Sequence, residues 1–188
     1  FTPHIFITKD FGNTWERKVA GIEEEAHVRV VREDPKRKGL LYAGTETGIY
    51  ISFDEGNSWK KFQLNLPVVP ITDLKVHHND LLAATQGRAF WVLDDLTPLH
   101  QLEEGMDKAN AHLFQPRNPY LYGGGRNDRS KTLGVNPDNG TVFFYNLAND
   151  TLKPTAKIYD EAGNMIREIK KMPTKAGMNK WVWNMQTE

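Results

Sequence analysis

Two carboxylates, Asp10 and Asp54, sit in the same setting, Ser/Thr-x-Asp-x-Gly-x-x-Trp. The first is built from Thr8, Asp10, Gly12 and Trp15, the second from Ser52, Asp54, Gly56 and Trp59. A carboxylate in a glycine-containing loop can do acid–base work, ligate calcium or hold a turn. An EF-hand calcium loop needs a bidentate Glu at its twelfth position. Counting from Asp10 gives Gly21 there, and counting from Asp54 gives Asn65, so the calcium reading fails. A short Asp side chain at a tight turn accepts backbone N–H bonds and holds the turn. Glycine two residues on supplies the positive φ such a turn needs. The Thr8 and Ser52 hydroxyls can tie the hairpin, and Trp15 and Trp59 can pack between neighbouring sheets. These Asp residues are therefore read as structural.

Chemistry has to be sought elsewhere. Glycoside hydrolysis needs two carboxylates across the sugar, about 5–10 Å apart. Outside the repeated motif the candidates are Glu46, Asp73, Asp94 and Asp95. Glu46 and Gln86 occupy equivalent turns between strands, and Arg88 beside the second turn could grip a carboxylate or sugar hydroxyls. The expected ligand-binding set is Glu46, Gln86, Arg88, Asp94 and Asp95; the alternative is that all are turn residues and surface ion pairs. His77 and His78 are adjacent on a strand, so they should face opposite sides and not share a metal. No His-Glu-x-x-His motif, serine elbow or cysteine nucleophile occurs. No catalytic residue is assigned, and no metal or cofactor is expected.

The elements that carry these residues repeat. Ile5 to Trp15 recurs as Ile49 to Trp59, an offset of 54 − 10 = 44 residues. Leu40 to Thr45 recurs as Leu81 to Thr85, and Phe90 to Asp95 takes the place of Ile49 to Asp54, an offset of 95 − 54 = 41. This third copy keeps the Asp but has Thr97 and His100 where the Gly and Trp would stand. Repeats of this length point to propeller blades or helical arrays. Short segments rich in β-branched and aromatic residues decide for strands. One blade is expected over about 27–33, 40–45, 48–53 and 59–65, the next over about 73–77, 81–85, 89–93 and 99–102. Residues 1 to about 20 supply only the outer hairpin of an earlier blade. The expected fold is all-β: a partial β-propeller over 1–108, of about two four-stranded blades and a remnant, then an incomplete Ig-like β-sandwich over 109–188. A closed propeller needs roughly four to eight blades.

The repeated motif resembles the Asp-box (BNR) repeat of sialidases, sortilin-type receptors and several bacterial glycosidases. A longer pattern runs through Arg32-Glu33-Asp34-Pro35, Gly39 to Glu46, Gln63-Leu64-Asn65-Leu66-Pro67, Asp73-Leu74, Asn79-Asp80-Leu81 and Gly87 to Asp95. It is similar to the end of the propeller in large bacterial BNR-repeat, sortilin-N-terminal-like "glycosyl hydrolases". Their propeller commonly closes with Thr-His-Gly-Arg-x-Phe-Trp; here Gln86 stands where the His is usual, so a role of that His does not carry over. The resemblance implies a secreted or periplasmic protein that acts on or binds carbohydrate. Its other branch implies a non-catalytic, sortilin-like propeller for peptide or protein ligands. By itself this stretch is expected to be inactive, with part of any active site on further blades.

From about Ala111 the repeat stops. His112 to Arg117 reads as a strand. Gly123 to Arg129 is glycine-rich, but no Gly-Lys-Ser/Thr follows it, so it reads as a flexible loop, not a phosphate loop. Asp138-Asn139-Gly140 is a turn, and Thr141 to Leu147 is a strand. Thr155 to Tyr159 and Met165 to Ile169 flank a hairpin loop, Asp160 to Asn164. Gly177 to Asn184 closes the pattern, with Trp181 and Trp183 on one face, as a sugar platform or as packing. This order is similar to the Ig-like module of flagellar hook-capping proteins.

Composition bounds the partners. The 24 basic and 24 acidic residues cancel, so nothing argues for nucleic acid. The chain has no cysteine, which excludes disulfides and thiolate metal sites. No apolar run reaches the ~18 residues of a membrane span. Phe1 falls within an apparent strand, and the chain reads as part of a longer protein. Exposed strand edges of an unclosed propeller should promote self-association.

Overall fold

A computed structural model describes residues 2–103, 105, 109–119 and 138–186. Among them the chain is all-β, with fourteen strands and one short helix. The strands form five small antiparallel sheets, none closed. The chain divides into two compact units, Phe1–Leu96 and Thr97–Glu188, so the break falls before the expected 108/109 boundary. The Gly123 to Arg129 segment lies outside the described residues.

The first unit starts with β1 (Phe6–Ile7) and β2 (Glu16–Arg17), a hairpin around the turn that holds Asp10. Next come β3 (Val28–Glu33), β4 (Leu41–Thr45), β5 (Ile49–Ser52) and β6 (Lys60–Lys61), a four-stranded meander in the order β3-β4-β5-β6. Then β7 (Ile71–His77), β8 (Asp80–Thr85) and β9 (Phe90–Leu93) form a three-stranded meander. Every residue of β4 is buried, as expected for a central strand covered on both faces. The sheets repeat in detail. Each first strand carries a bulge near its start, between Val28 and Val30 in one and Ile71 and Asp73 in the other.

The β3–β6 sheet packs on both sides. On one face Leu41, Ala43, Tyr50 and Trp59 meet Ile5, Ile22 and Ala26 from the first 26 residues. On the other, β7 lies against β3 and β4. Gly44 makes that approach possible: a Cβ there would sit 2.7 Å from Ile71 Cγ2 and 2.7 Å from Val30 Cγ1. Arg32 spans the same seam, its Nε donating to Leu74 O at 2.9 Å and its Nη2 to Asp73 Oδ1 at 2.7 Å. At the β3–β4 turn the buried Asp34 accepts from the Lys36 and Arg37 backbone N–H and from the Tyr42 hydroxyl. Burial, with the Asp34 charge beside it, pushes the Tyr42 hydroxyl well above its ordinary pKa.

The β7–β9 sheet departs from expectation where a fourth strand was expected. Residues 99–102 are not a strand; Thr97–Gln101 forms the helix α1. Without the glycine and tryptophan of the box, nothing turns the chain back onto β9. Pro98 fits the first helical turn, where its missing N–H has no partner to lose. Within the second unit α1 is fastened by Gln101, whose amide donates to Gln115 O at 2.9 Å and accepts from Gln115 N at 2.8 Å.

That unit continues with β10 (Ala111–Leu113), β11 (Thr141–Leu147), β12 (Ala156–Tyr159), β13 (Met165–Ile169) and β14 (Gly177–Trp183). One sheet has the order β10-β11-β14, with β11 and β14 paired from Thr141↔Trp183 to Leu147↔Gly177. The β12–β13 hairpin forms a separate two-stranded sheet.

Candidate functional site

In an antiparallel meander successive turns alternate between the two ends of the sheet. The β3–β4 turn and the β5–β6 turn, which holds Asp54, share one end of the four-stranded sheet. The β4–β5 turn, with Glu46, stands at the other. The two ends differ in chemistry.

At the Asp10 and Asp54 turns the two copies of the motif build one hydrogen-bond pattern. Thr8 Oγ1 donates to Asp10 Oδ1 at 2.9 Å and accepts from Gly12 N at 2.8 Å. Asp10 accepts Thr14 N at 2.8 Å and Thr14 Oγ1 at 2.6 Å. Ser52, Asp54, Gly56 and Ser58 repeat these contacts at 2.7, 2.9, 2.9 and 2.6 Å. The positive φ spans two residues in each turn, Phe11 (59°) with Gly12 (94°) and Glu55 (57°) with Gly56 (81°). Hydrogen bonds from Thr14 hold the Asp10 carboxyl below its ordinary pKa. At Asp54 burial pushes upward, but the bonds from Ser58 and Ser52 outweigh it and the net shift is downward. A carboxylate engaged on both oxygens and held ionised is a poor general acid.

Trp59 and Trp15 part company. Trp59 is 3% exposed and its indole N–H donates to Lys18 O at 3.1 Å, packing between sheets as expected. Trp15 is 61% exposed and donates to Gly12 O within its own turn. Among the described residues Trp15 does not show the inter-sheet packing that Trp59 shows.

At the opposite end Glu46 is at the centre of a charged cluster. His27 Nε2 lies 2.6 Å from Glu46 Oε1, and Arg29 Nε donates to the same oxygen at 2.5 Å. The bulge in β3 leaves Arg29 without a cross-strand partner and turns it toward Glu46. Sequence reasoning found Glu46 and missed His27 and Arg29, since no glycine or other residue type marks that bulge. His27 also borders an open depression with Thr2, His4 and Val28.

The β8–β9 turn holds the equivalent place on the next sheet. Gln86 N donates to Pro70 O at 2.9 Å, as Glu46 N does to His27 O at 3.2 Å. Thr85 Oγ1 donates to Ala89 O and accepts Arg88 N, just as Thr45 Oγ1 donates to Gly48 O and accepts Thr47 N. Trp91 Nε1 donates to Arg88 O at 2.9 Å, so the Arg88 backbone is fixed while its side chain is exposed. Among the described residues no ion pair engages the Arg88 guanidinium.

Asp94 and Asp95 do not join this group. They follow the far end of β9, six residues from Arg88 (94 − 88), or roughly 20 Å along an extended strand. Asp95 is 8% exposed with φ 65°, and its N–H donates to Asp80 Oδ1 at 2.9 Å. Leu93 replaces the Ser/Thr of the box, and Leu96 and Thr97 follow where its positive-φ turn would run. The His77–His78 expectation is corrected: His78 leaves the strand with φ 54°, which brings the two rings to 4.2 Å. Among the described residues no group of three or more His, Cys, Asp or Glu side chains is placed to hold a metal ion.

In the second unit Trp181 stacks on Phe143 at 5.6 Å and borders an open depression with Arg167, Glu168 and Lys170. Trp183 donates to Gln186 O at 3.2 Å. Asp160 repeats the carboxylate clamp outside the repeated motif: Asn164 N donates at 2.7 Å and Asn164 Nδ2 at 3.0 Å, and these bonds lower its pKa.

No known protein family, no curated protein and no solved structure matches the chain.

Proposed function

We propose that the chain is part of a propeller-type, extracytoplasmic, glycoside-hydrolase-like protein, and that it binds carbohydrate at the β4–β5 and β8–β9 turn end without hydrolysing it. The observation that supports this is the pairing of equivalent turns, one with Glu46 beside His27 and Arg29, the other with Gln86 and an exposed Arg88. Ion-paired and amide groups in two neighbouring turns offer sugar hydroxyls donors and acceptors in fixed places. Hydrolysis needs a second carboxylate across the sugar; Asp94 and Asp95 stand at the wrong end of β9, and Asp73, which lies at the right end, is engaged by Arg32. An Ig-like fold for the second unit belongs to the same proposal, supported by the β11–β14 pairing around a separate hairpin.

Calorimetric titration with a panel of neutral and acidic oligosaccharides, paired with a reducing-end assay, tests it. Binding is expected for at least one glycan, weakened about 10- to 100-fold by Arg88→Ala through loss of charge-assisted bonds, with no reducing ends released. Release of reducing ends would contradict the non-hydrolytic reading. No binding anywhere in the panel would move the assignment to peptide or protein ligands.

A further inference from the structure

Strict alternation along a strand would hold His77 and His78 on opposite faces and deny them a shared metal ion. The β7–β8 turn breaks that alternation. His77 pairs with Asp80, which leaves His78 and Asn79 as a two-residue hairpin loop. Loops of that length take positive φ at their centre, and here His78 adopts it, at 54°. The backbone thereby swings the second imidazole back beside the first. The ring centroids are 4.2 Å apart and the planes are inclined at 58°.

That separation is close to what chelation asks for. An imidazole nitrogen binds Zn2+ at about 2.0–2.1 Å, which puts its ring centre roughly 3.1 Å from the ion. Two rings bound at a right angle to one another then have centres about 4.4 Å apart. The χ2 torsion of histidine is broad, so one nitrogen of each ring can be turned toward a common ion without moving the backbone. The rings are also uncommitted. Both residues are exposed, and among the described residues no side-chain hydrogen bond or ion pair engages either imidazole. His27, by contrast, lies against Glu46, and His4 Nδ1 is within 2.7 Å of Thr2 O.

The donor set selects the metal. No carboxylate completes a group of three ligands here, and Lys36 Nζ, bonded to Asn79 Oδ1, adds a positive charge to the same turn. Mg2+ and Ca2+ take oxygen ligands and are disfavoured, whereas imidazole suits Zn2+, Cu2+ and Ni2+. We propose that His77 and His78 form a two-imidazole site for a divalent ion of the Zn2+ class, with water in the remaining positions. The site lies within one turn of the first unit, at the other end of the β7–β9 sheet from Gln86 and Arg88. It stands independently of the carbohydrate reading.

The test titrates the full chain with ZnCl2 and follows the histidine Hε1 signals by NMR, assigned with His77→Gln and His78→Asn. Asparagine adopts positive φ readily, so His78→Asn removes the ligand and keeps the turn; circular dichroism establishes that both variants are folded. The His77 and His78 signals are expected to shift together along one saturation curve, with one ion per chain, ahead of the other four histidines. Each substitution removes a ligand outright and should weaken this binding by at least about tenfold, the least that loss of a ligand's supporting partner costs. Mg2+ should leave both signals in place. Separate curves for the two residues, an affinity unchanged in either variant, or an equal response to Mg2+ would overturn the proposal.

Discussion

Asp54 accepts from a side-chain hydroxyl on each side and from a backbone N–H, and that set makes it a turn-holding group. Asp54→Ala should cost about 1–2 kcal/mol in urea unfolding, the range for losing bonds to a partly exposed charged acceptor. Arg88→Ala should leave stability within about 0.5 kcal/mol, as for an exposed side chain away from packing. Acid should act through the same carboxylates. Asp10, Asp54 and Asp160 all have folded pKa values depressed from 3.8. A depressed folded pKa gives stability that is complete above the unfolded value and is lost as pH falls through the folded one. Their contribution should hold steady above about pH 4 and fall away in more acid solution. Unfolding midpoints measured from pH 6 down to pH 2 check this, and Asp54→Asn should flatten the acid limb.

Packing between elements decides which repeated residues matter. Trp59→Ala should cost about 3–5 kcal/mol, as for a buried tryptophan. Trp15→Ala, in the same motif but exposed, should cost under about 1 kcal/mol. Gly44→Ala should cost about 1–3 kcal/mol, because its Cβ would overlap two β-branched side chains of limited rotamer freedom. Equilibrium unfolding of the three variants checks these values and their order. Strand positions were legible wherever period, turn residues and β-branched content agreed; β11 and β13 fall where the pattern placed them. The fourth strand expected beside β9 does not form because residues 99–102 lack the turn chemistry of the repeat, while Thr97-Pro98 begins a helix. Glu46 was visible as a turn residue. His27 and Arg29 were not, since a bulge that redirects a side chain leaves no mark in residue type. The same holds for His78, whose left-handed backbone undid the alternation that would have separated it from His77.

For the whole molecule, the two ends of the four-stranded sheet carry different chemistry. One end is spent on holding turns, with carboxylates satisfied by their own loops. The other gathers ionised and amide side chains on turns that the backbone fixes. Among the described residues no helix is long and apolar enough to cross a membrane. The proposed activity is therefore a matter of which end of the sheets a ligand touches. Hydrogen–deuterium exchange with and without a saturating oligosaccharide reads that directly. Protection of residues 45–48 and 85–89, with residues 10–14 and 54–58 unchanged, is the predicted result. Protection confined to residues 10–14 and 54–58, or no change at 45–48 and 85–89, would contradict it.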